Sequence, residues 1–226
     1  MTPPARRRIY LMRHAEVRYF QGDHPHDVVL TEAGRAQALA AAEALRGVRF
    51  DRVLTSGLPR TIETAQAIAP DAEIEASPAL REIESGELRG VAPEVVQEMM
   101  TAAFRGIVPP DAQFLGGETI GSLFDRVLPE LDALLADESW DVSLLVLHGG
   151  VNRAILGRAL TGDRLFLGAF EQAPGCINVL DVDVRGVFVV RAVGYTPYDP
   201  VGEAAPRRTT MEQLWQEYLD SRGRNP

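Results

Sequence analysis

The stretch SLLVLHGG at residues 143–150 carries the clearest fold signal in the chain. Its first part is a short, nearly continuous apolar run, as expected for a strand that is buried on both faces. The run leads directly into His148 and two glycines, and a helical pattern follows over residues 151–160. A strand that continues at once into a helix is the basic unit of a parallel sheet with helices on its faces.

Two other strands are predicted to end in the same way. Residues 8–12 are predicted to form a short buried strand, and residues 52–55 another short strand. Polar side chains follow all three strands: His14, Ser56 and His148. Because ligands in such sheets bind beyond the carboxyl ends of the strands, we expect these three side chains to lie close together.

Helices and strands alternate over most of the chain. Further helices are predicted at residues 32–46, 59–69, 93–104, 120–135 and 209–221, and further strands at 73–75, 176–182 and 187–193. Thr31 is the expected N-cap of the first helix and Gly47 its C-cap. The predicted fold class is therefore α/β with three layers: a mostly parallel central sheet, helices on both faces, and a small inserted region of helix and loop. We expect a single domain over residues 1–226, with the insertion at about 77–117 and a C-terminal tail and helix at about 196–226.

Composition excludes several classes of function. The 226 residues carry a formal net charge of −9, and every basic residue is an arginine. A nucleic-acid backbone requires a basic stripe, and Arg6-Arg7-Arg8 is interpreted as a solvated terminus. The sequence shows neither a signal peptide nor a membrane-spanning stretch, so we expect a cytoplasmic protein without nucleic-acid or membrane partners. Cys176 is the only cysteine, which rules out an intramolecular disulfide.

Six segments of the chain together carry a family resemblance. They are residues 11–16 (LMRHAE), 30–38 (LTEAGRAQA), 55–65 (TSGLPRTIETA), 80–83 (LREI) with Gly86 and Gly90, 116–119 (GGET) and 147–150 (LHGG). In this order they resemble the signature of the histidine phosphatase superfamily, also called the phosphoglycerate mutase-like superfamily. The resemblance extends from residue 9 to about residue 160. Each segment alone is weak, whereas six in the family's order are specific.

The resemblance implies a role for each matching residue. His14 would attack phosphorus and become a phosphohistidine, with its other ring nitrogen held by a backbone carbonyl. Arg13 and Arg60 would bind phosphate oxygens in pairs, Arg60 from the start of a helix. His148 would donate to the oxygens as charge develops, and Gly149 belongs to the same phosphate-binding set. The resemblance implies neither a metal nor another cofactor.

A leaving alkoxide requires a proton, and the resemblance places the general acid at Glu82. Glu84 and Glu87 lie close in sequence, and a shift of the loop would bring either of them forward. Arg18, Tyr19 and Glu84 are further candidate substrate contacts.

Two positions depart from the family pattern. Ala15 replaces the glycine that usually follows the histidine, and an alanine would be strained if that position required a positive φ. The mutase-type string continues with Thr, an aromatic residue and Asn, whereas this chain reads Val17-Arg18-Tyr19-Phe20. The contribution of the asparagine is therefore missing or comes from another residue, for which Arg18 is the candidate.

We interpret the chain as a phosphomonoesterase that hydrolyses a small phosphorylated metabolite. A cofactor-dependent phosphoglycerate mutase is the first alternative, although the separation of Glu82 and His148, 148 − 82 = 66 residues, resembles the phosphatase branch. A non-catalytic phosphate-binding module is the second. A metal-dependent hydrolase finds support only in residues 24–27 (HPHD), within a predicted loop. The sequence does not identify the substrate. It also leaves two roles for Trp215, which packs either in the core or at a homodimer contact.

Overall fold

The computed structural model describes residues 6–20, 26–204 and 207–222. Its strands are β1 (Arg7–Arg13), β2 (Arg52–Thr55), β3 (Ile74–Ala76), β4 (Ile107–Val108), β5 (Val142–Leu147), β6 (Phe166–Leu167), β7 (Ile177–Val182) and β8 (Phe188–Tyr195). Its helices are α1 (Glu32–Ala44), α2 (Pro59–Ile68), α3 (Pro93–Ala102), α4 (Ile120–Ala136), α5 (Gly149–Thr161) and α6 (Thr210–Arg222). Every predicted helix and strand is present, and the α/β fold class is confirmed.

The central sheet has six strands in the order β3-β2-β5-β1-β7-β8. Neighbouring strands from β3 to β1 are parallel, whereas β7 and β8 form an antiparallel hairpin whose first strand pairs with β1. β1 therefore lies where the sheet changes from parallel to antiparallel pairing. The predicted mostly parallel sheet is confirmed, with the hairpin as its antiparallel part.

Each face of the sheet is covered by its own pair of helices. Alternate side chains of a strand point to opposite faces, so Leu145 and Leu147 of β5 pack with α4 and α5. Leu144 and Val146 pack on the other face with α1 and α2. Burial on both faces explains why β5 has a continuous apolar run rather than an alternating pattern.

A smaller cluster lies between α3 and α6. Val96 and Met100 of α3 are buried against Met211 of α6, and Leu214 and Trp215 pack against them. Trp215 stacks on Tyr218 with 5.6 Å between the ring centroids. The C-terminal helix is thus packed against α3. Among the described residues, none of the helices has the length and apolar character required to cross a bilayer.

Two predicted details of the helices are wrong. α1 ends at Ala44 with Leu45 as its cap residue, so Gly47 is not the C-cap. Gly47 lies two residues later, in a turn where its φ of +86° is one that glycine adopts without strain. α5 begins at Gly149, two residues before the predicted start, because His148 has the extended conformation of an N-cap residue and both glycines are helical. The early start brings the N-terminus of α5 to the polar strand ends.

Candidate active site

The carboxyl ends of β1, β2 and β5 bring three polar side chains together. The backbone N–H of His14 donates to Leu147 O at 2.9 Å, and the His14 carbonyl accepts from Gly175 N at 3.0 Å. The rings of His14 and His148 lie edge to face, with 5.2 Å between their centroids. Ser56 follows β2 and contacts the His148 ring. The structure therefore brings together the three strand ends that the sequence singled out.

The His14 ring has a defined tautomer. Its Nδ1 lies 2.8 Å from Ala15 O, and a carbonyl can only accept, so Nδ1 carries the hydrogen and Nε2 carries the lone pair. The hydroxyl of Tyr19 lies 3.2 Å from Nε2 and therefore donates to it. Burial lowers the pKa of His14 well below its ordinary value of 6.5, and the charges of Arg60 and Arg13 lower it further. His14 is consequently a neutral imidazole with one available lone pair.

His148 is held by a hydroxyl chain from α2. Its Nε2 lies 2.8 Å from Ser56 Oγ, which in turn lies 3.2 Å from Thr61 Oγ1. The Thr61 hydroxyl donates to the carbonyl of Leu58 at 2.7 Å. Among the described residues, Nδ1 of His148 is buried without a hydrogen-bond partner. Burial, followed by the charge of Arg60, lowers the pKa of His148 well below its ordinary value. Because the Thr61 hydrogen is used on Leu58, Ser56 donates to Thr61 and accepts from Nε2–H of His148, which leaves the lone pair on Nδ1. A proton on Nδ1, shared with a bound anion, would satisfy this buried nitrogen.

Two guanidinium groups lie next to the two imidazoles. Arg13 donates from Nη1 to the carbonyl of Gln172 at 2.6 Å, while its Nε is buried without a partner among the described residues. Arg60 is 3% exposed and is the second residue of α2, close to the backbone N–H groups that the start of a helix leaves unpaired. Its guanidinium carbon lies 5.6 Å from the centre of the Tyr19 ring. Fixed positive charge and helix N-termini both favour a bound anion.

Of the three candidate acids, Glu82 lies at the polar cluster. Its Oε1 accepts from the backbone N–H of Gly150 in the first turn of α5, at 3.0 Å. A Cβ placed on Gly150 would lie 2.6 Å from this oxygen, so a larger residue there would displace the carboxylate. Glu84 and Glu87 are exposed, and of these two only Glu84 lines the adjoining cavity. The geometry favours Glu82 over its two neighbours.

The cluster opens into a cavity of about 1050 Å³. Arg13, Arg60, Glu82 and Gly149 line one part of it. The candidate substrate contacts Arg18, Tyr19 and Glu84 also line it, and Arg18 and Glu84 are solvent-exposed. The structure thus places all three along the cavity, with Tyr19 nearest to His14.

The backbone conformation at residue 15 is one that alanine adopts without strain. Among the described residues, Leu115 is the only non-glycine residue with a positive φ, so Ala15 has an ordinary conformation. Its backbone N–H donates to Thr64 Oγ1 at 3.1 Å, and that hydroxyl donates to the Arg60 carbonyl at 2.7 Å. The replacement of glycine by alanine therefore introduces no backbone strain, and this contact ties the nucleophile loop to α2.

Arg153 is a pocket residue that sequence reasoning missed. It is 2% exposed and donates from Nη1 to the carbonyl of Gly149 at 3.1 Å and from Nε to that of Gly168 at 3.2 Å. Burial lowers its pKa to about 10. The available signal was its position one turn after Gly149, as the only charged residue between Val151 and Gly157. Residues 149–157 of this helix are all buried, so the single arginine among them requires polar partners.

The structure describes only two of the four residues of the possible metal motif at residues 24–27. His24 and Pro25 lie outside the described residues, and His26 and Asp27 are exposed. Over the described ranges there is no group of three or more His, Cys, Asp or Glu side chains able to hold a metal ion.

Together, the strand ends and the starts of α2 and α5 define an α/β protein whose site combines a neutral histidine with buried positive charge. The sequence profile of the histidine phosphatase superfamily (branch 1) matches residues 9–194, and the chain belongs to this superfamily.

Individual relatives include both phosphatases and mutases by name. Phosphoserine phosphatase 1 of Hydrogenobacter thermophilus is 31% identical over 164 residues, which are 69% of this chain and 76% of that protein. Phosphoglycerate mutase-like protein 4 of Arabidopsis thaliana is 31% identical over 163 residues, 67% of this chain and 70% of that protein. A mycobacterial glucosyl-3-phosphoglycerate phosphatase, solved with inorganic phosphate, has a TM-score of 0.69 at 24% identity and covers 84% of this chain and 98% of its own. That structure establishes a shared fold.

The two buried histidines predict a pH dependence of stability. Because their pKa values are lowered in the folded state, the unfolded chain binds more protons below pH 6.5, and the folded state loses stability as the pH falls. The free energy of unfolding should fall by about 1.4 kcal/mol per pH unit for each histidine until the pH reaches its lowered pKa. Equilibrium urea denaturation between about pH 7.5 and 5 measures this slope. His14→Asn should reduce it by about half, and an equal slope in the variant would contradict the assignment.

Proposed function

We propose that the protein is a phosphomonoesterase that hydrolyses a small phosphate ester through a phosphohistidine on His14. The observation that carries this proposal is the state of His14: a neutral ring whose Nδ1 hydrogen is held by the Ala15 carbonyl, next to Arg13 and Arg60. A neutral lone pair can approach a phosphate dianion that would repel a carboxylate. The surrounding guanidinium groups bind the phosphate oxygens in pairs and offset their charge.

In the first step, Nε2 of His14 attacks phosphorus and the ester oxygen leaves. Glu82 gives its proton to that oxygen, so the product is a neutral alcohol. The Tyr19 hydroxyl lies 3.2 Å from Nε2, in the direction from which phosphorus must approach, so Tyr19 moves aside when an ester binds. The negative charge of the bound phosphate favours a second proton on the His148 ring, taken up from solvent at Nδ1, and this nitrogen then donates to an equatorial oxygen.

In the second step, water attacks the phosphohistidine. The Glu82 carboxylate takes a proton from this water, the N–P bond breaks, and inorganic phosphate leaves with His14 restored as a neutral imidazole. Ser56 acts as a positioning residue, because its hydroxyl holds the ring of His148 at 2.8 Å. Arg13 and Arg60 supply the positive charge that a metal ion would otherwise provide, so we propose that turnover is metal-independent.

A phosphoglycerate mutase is the second candidate, favoured by the names of several relatives. A mutase must keep its phosphoenzyme from water and return the phosphoryl group to a substrate. The cavity beside His14 is large, and exposed residues such as Arg18 and Glu84 line it, which favours access of water. Hydrolysis is therefore the proposed reaction.

The test compares phosphate release with isomer exchange. Purified protein is incubated with a panel of phosphomonoesters, including 3-phosphoglycerate with 2,3-bisphosphoglycerate, with and without EDTA. We expect release of inorganic phosphate that is unchanged by EDTA. Fast exchange between 3- and 2-phosphoglycerate with little free phosphate would establish the mutase, and loss of activity with EDTA would refute metal independence.

A further inference from the structure

The cavity is much larger than a phosphate site requires. Its volume of about 1050 Å³ lies at the upper end of the range for pockets that enclose most of a drug-sized molecule. Arg13, Arg60 and Gly149 occupy one end, and Met211 and Leu214 of α6 contribute to its lining. The space between them is available to the alcohol part of an ester.

An aromatic stack starts beside the phosphate end. The Arg153 guanidinium, bonded to the carbonyl of Gly149, lies 4.7 Å from the centre of the Phe104 ring. Phe104 stacks on Phe114 with 5.2 Å between centroids and an interplanar angle of 10°. Both rings line the cavity, so a leaving group that extends from a bound phosphate meets apolar surface.

The stack continues into a larger surface that we call the apolar wall. Its members line the cavity and belong to the cluster between α3 and α6: Phe20, Leu88, Phe104, Phe114, Met211 and Leu214. Met211 and Leu214 lie beyond residue 194, where the match to the superfamily profile ends. This side of the pocket is therefore formed by a part of the chain that the family signature does not include.

The charged groups along the cavity do not offer a site for an anionic leaving group. Arg153 uses two N–H groups on backbone carbonyls and has Glu171 at 3.9 Å. The arginines Arg18, Arg208 and Arg222 also line the cavity, but all three are solvent-exposed and Arg18 acts on the carboxyl group of Glu217. Glu217 lines the cavity from α6, and its burial raises the pKa of its carboxyl group against the effect of the Phe20 and Tyr19 N–H groups. A carboxylate in the substrate would meet this acid rather than a dedicated cation.

We propose that the apolar wall is the leaving-group subsite and that the substrate is a phosphomonoester of an apolar alcohol, aromatic or long-chain. This inference rests on the proposed function for its reaction, since the subsite binds the alcohol that Glu82 protonates. Binding energy then comes from burial of hydrocarbon surface against α6 and the aromatic stack.

The test uses n-alkyl phosphates from ethyl to hexyl, because their leaving groups differ in apolar area and hardly in acidity. We expect kcat/KM to rise by about 2- to 4-fold for each added methylene, and 3-phosphoglycerate to be a poorer substrate than hexyl phosphate. A flat series, or a preference for 3-phosphoglycerate, overturns the inference while leaving phosphatase activity intact. Absence of hydrolysis with every ester would instead refute the proposed function.

Binding can be measured without turnover. Titration calorimetry with ethylphosphonate and hexylphosphonate, which have no ester bond to cleave, should give tighter binding of the longer chain by about 10-fold or more, with a negative heat-capacity change. Equal affinities would overturn the inference whatever the enzyme activity.

A pair of variants on α6 locates the effect. Leu214→Asn should lower the hexyl-to-ethyl ratio of kcat/KM by about 5-fold or more, because it places an amide in the apolar wall. Leu219→Asn is the matched control, since Leu219 lies on the same helix, is 38% exposed and does not line the cavity. It should keep the wild-type ratio. An unchanged ratio in Leu214→Asn, or the same loss in both variants, would show that the apolar wall does not cause the preference for hexyl phosphate.

Discussion

Replacement of His14 by alanine is expected to abolish phosphate release, with a loss of at least about 10⁴-fold in kcat. The variant removes the only protein atom that forms a bond to phosphorus in the proposed mechanism. The guanidinium groups and His148 stay in place, so an ester still binds. Rapid quenching with radiolabelled substrate should show an acid-labile, alkali-stable phosphoenzyme in the wild type and none in His14→Ala.

The control is Arg49→Ala, which removes an exposed side chain that does not line the cavity. This variant should keep more than about half of the wild-type rate, since a surface substitution away from a special feature rarely has a large effect. Circular dichroism of both variants checks that the fold is retained. Undiminished turnover in His14→Ala would move catalysis to another residue and refute the proposed mechanism.

Replacement of Glu82 by glutamine should produce a loss that depends on the leaving group. The amide still accepts from Gly150 N but cannot deliver a proton, so hydrolysis of alkyl phosphates should fall by about 10²- to 10⁴-fold. p-Nitrophenyl phosphate has a leaving group that needs no proton. Transfer of the phosphoryl group from this ester to His14 should therefore persist. Hydrolysis of the phosphohistidine should slow, because no carboxylate takes the proton from the attacking water. We expect a burst of about one nitrophenolate per active site, measured by stopped-flow absorbance.

Glu87→Gln is the control, because its side chain is exposed and does not line the cavity. Glu84→Gln tests the alternative acid, since Glu84 lines the cavity but does not contact the start of α5 among the described hydrogen bonds. Each should stay within about 3-fold of the wild type. A larger loss for alkyl phosphates in Glu84→Gln than in Glu82→Gln would assign the acid to Glu84 and show that the loop rearranges on binding.

Local patterns accounted for most of the secondary structure. The strand Arg52–Thr55 has the predicted bounds, and the side chain of Thr31 accepts from Gly34 N as an N-cap does. Both features depend on residues only a few positions apart, so they can be recognised from the sequence alone. The two-residue strands β4 and β6 have no periodicity of their own, and their pairing joins residues about 60 positions apart. The placement of the β7–β8 hairpin beside β1 is likewise a long-range pairing that local patterns do not encode.

The sequence predicted which residues form the site better than it predicted the contacts between them. Strand ends of a parallel sheet must meet at one edge, which is why His14, Ser56 and His148 were expected together. The contact between Tyr19 and His14 depends on the path of a loop, and loops carry no periodic signal. Arg153 was missed because it belongs to none of the six family segments, and its role depends on a neighbouring pocket that the sequence does not show.

The two-sided pairing of β1 has a consequence for how activity is lost on unfolding. His14 is bonded through its N–H to β5 and through its carbonyl to Gly175, so its amide should exchange with deuterium only when the sheet itself opens. Helix α6 lies at the margin, where sub-global opening requires less free energy. Mild denaturation should therefore broaden the range of accepted esters before it stops phosphoryl transfer.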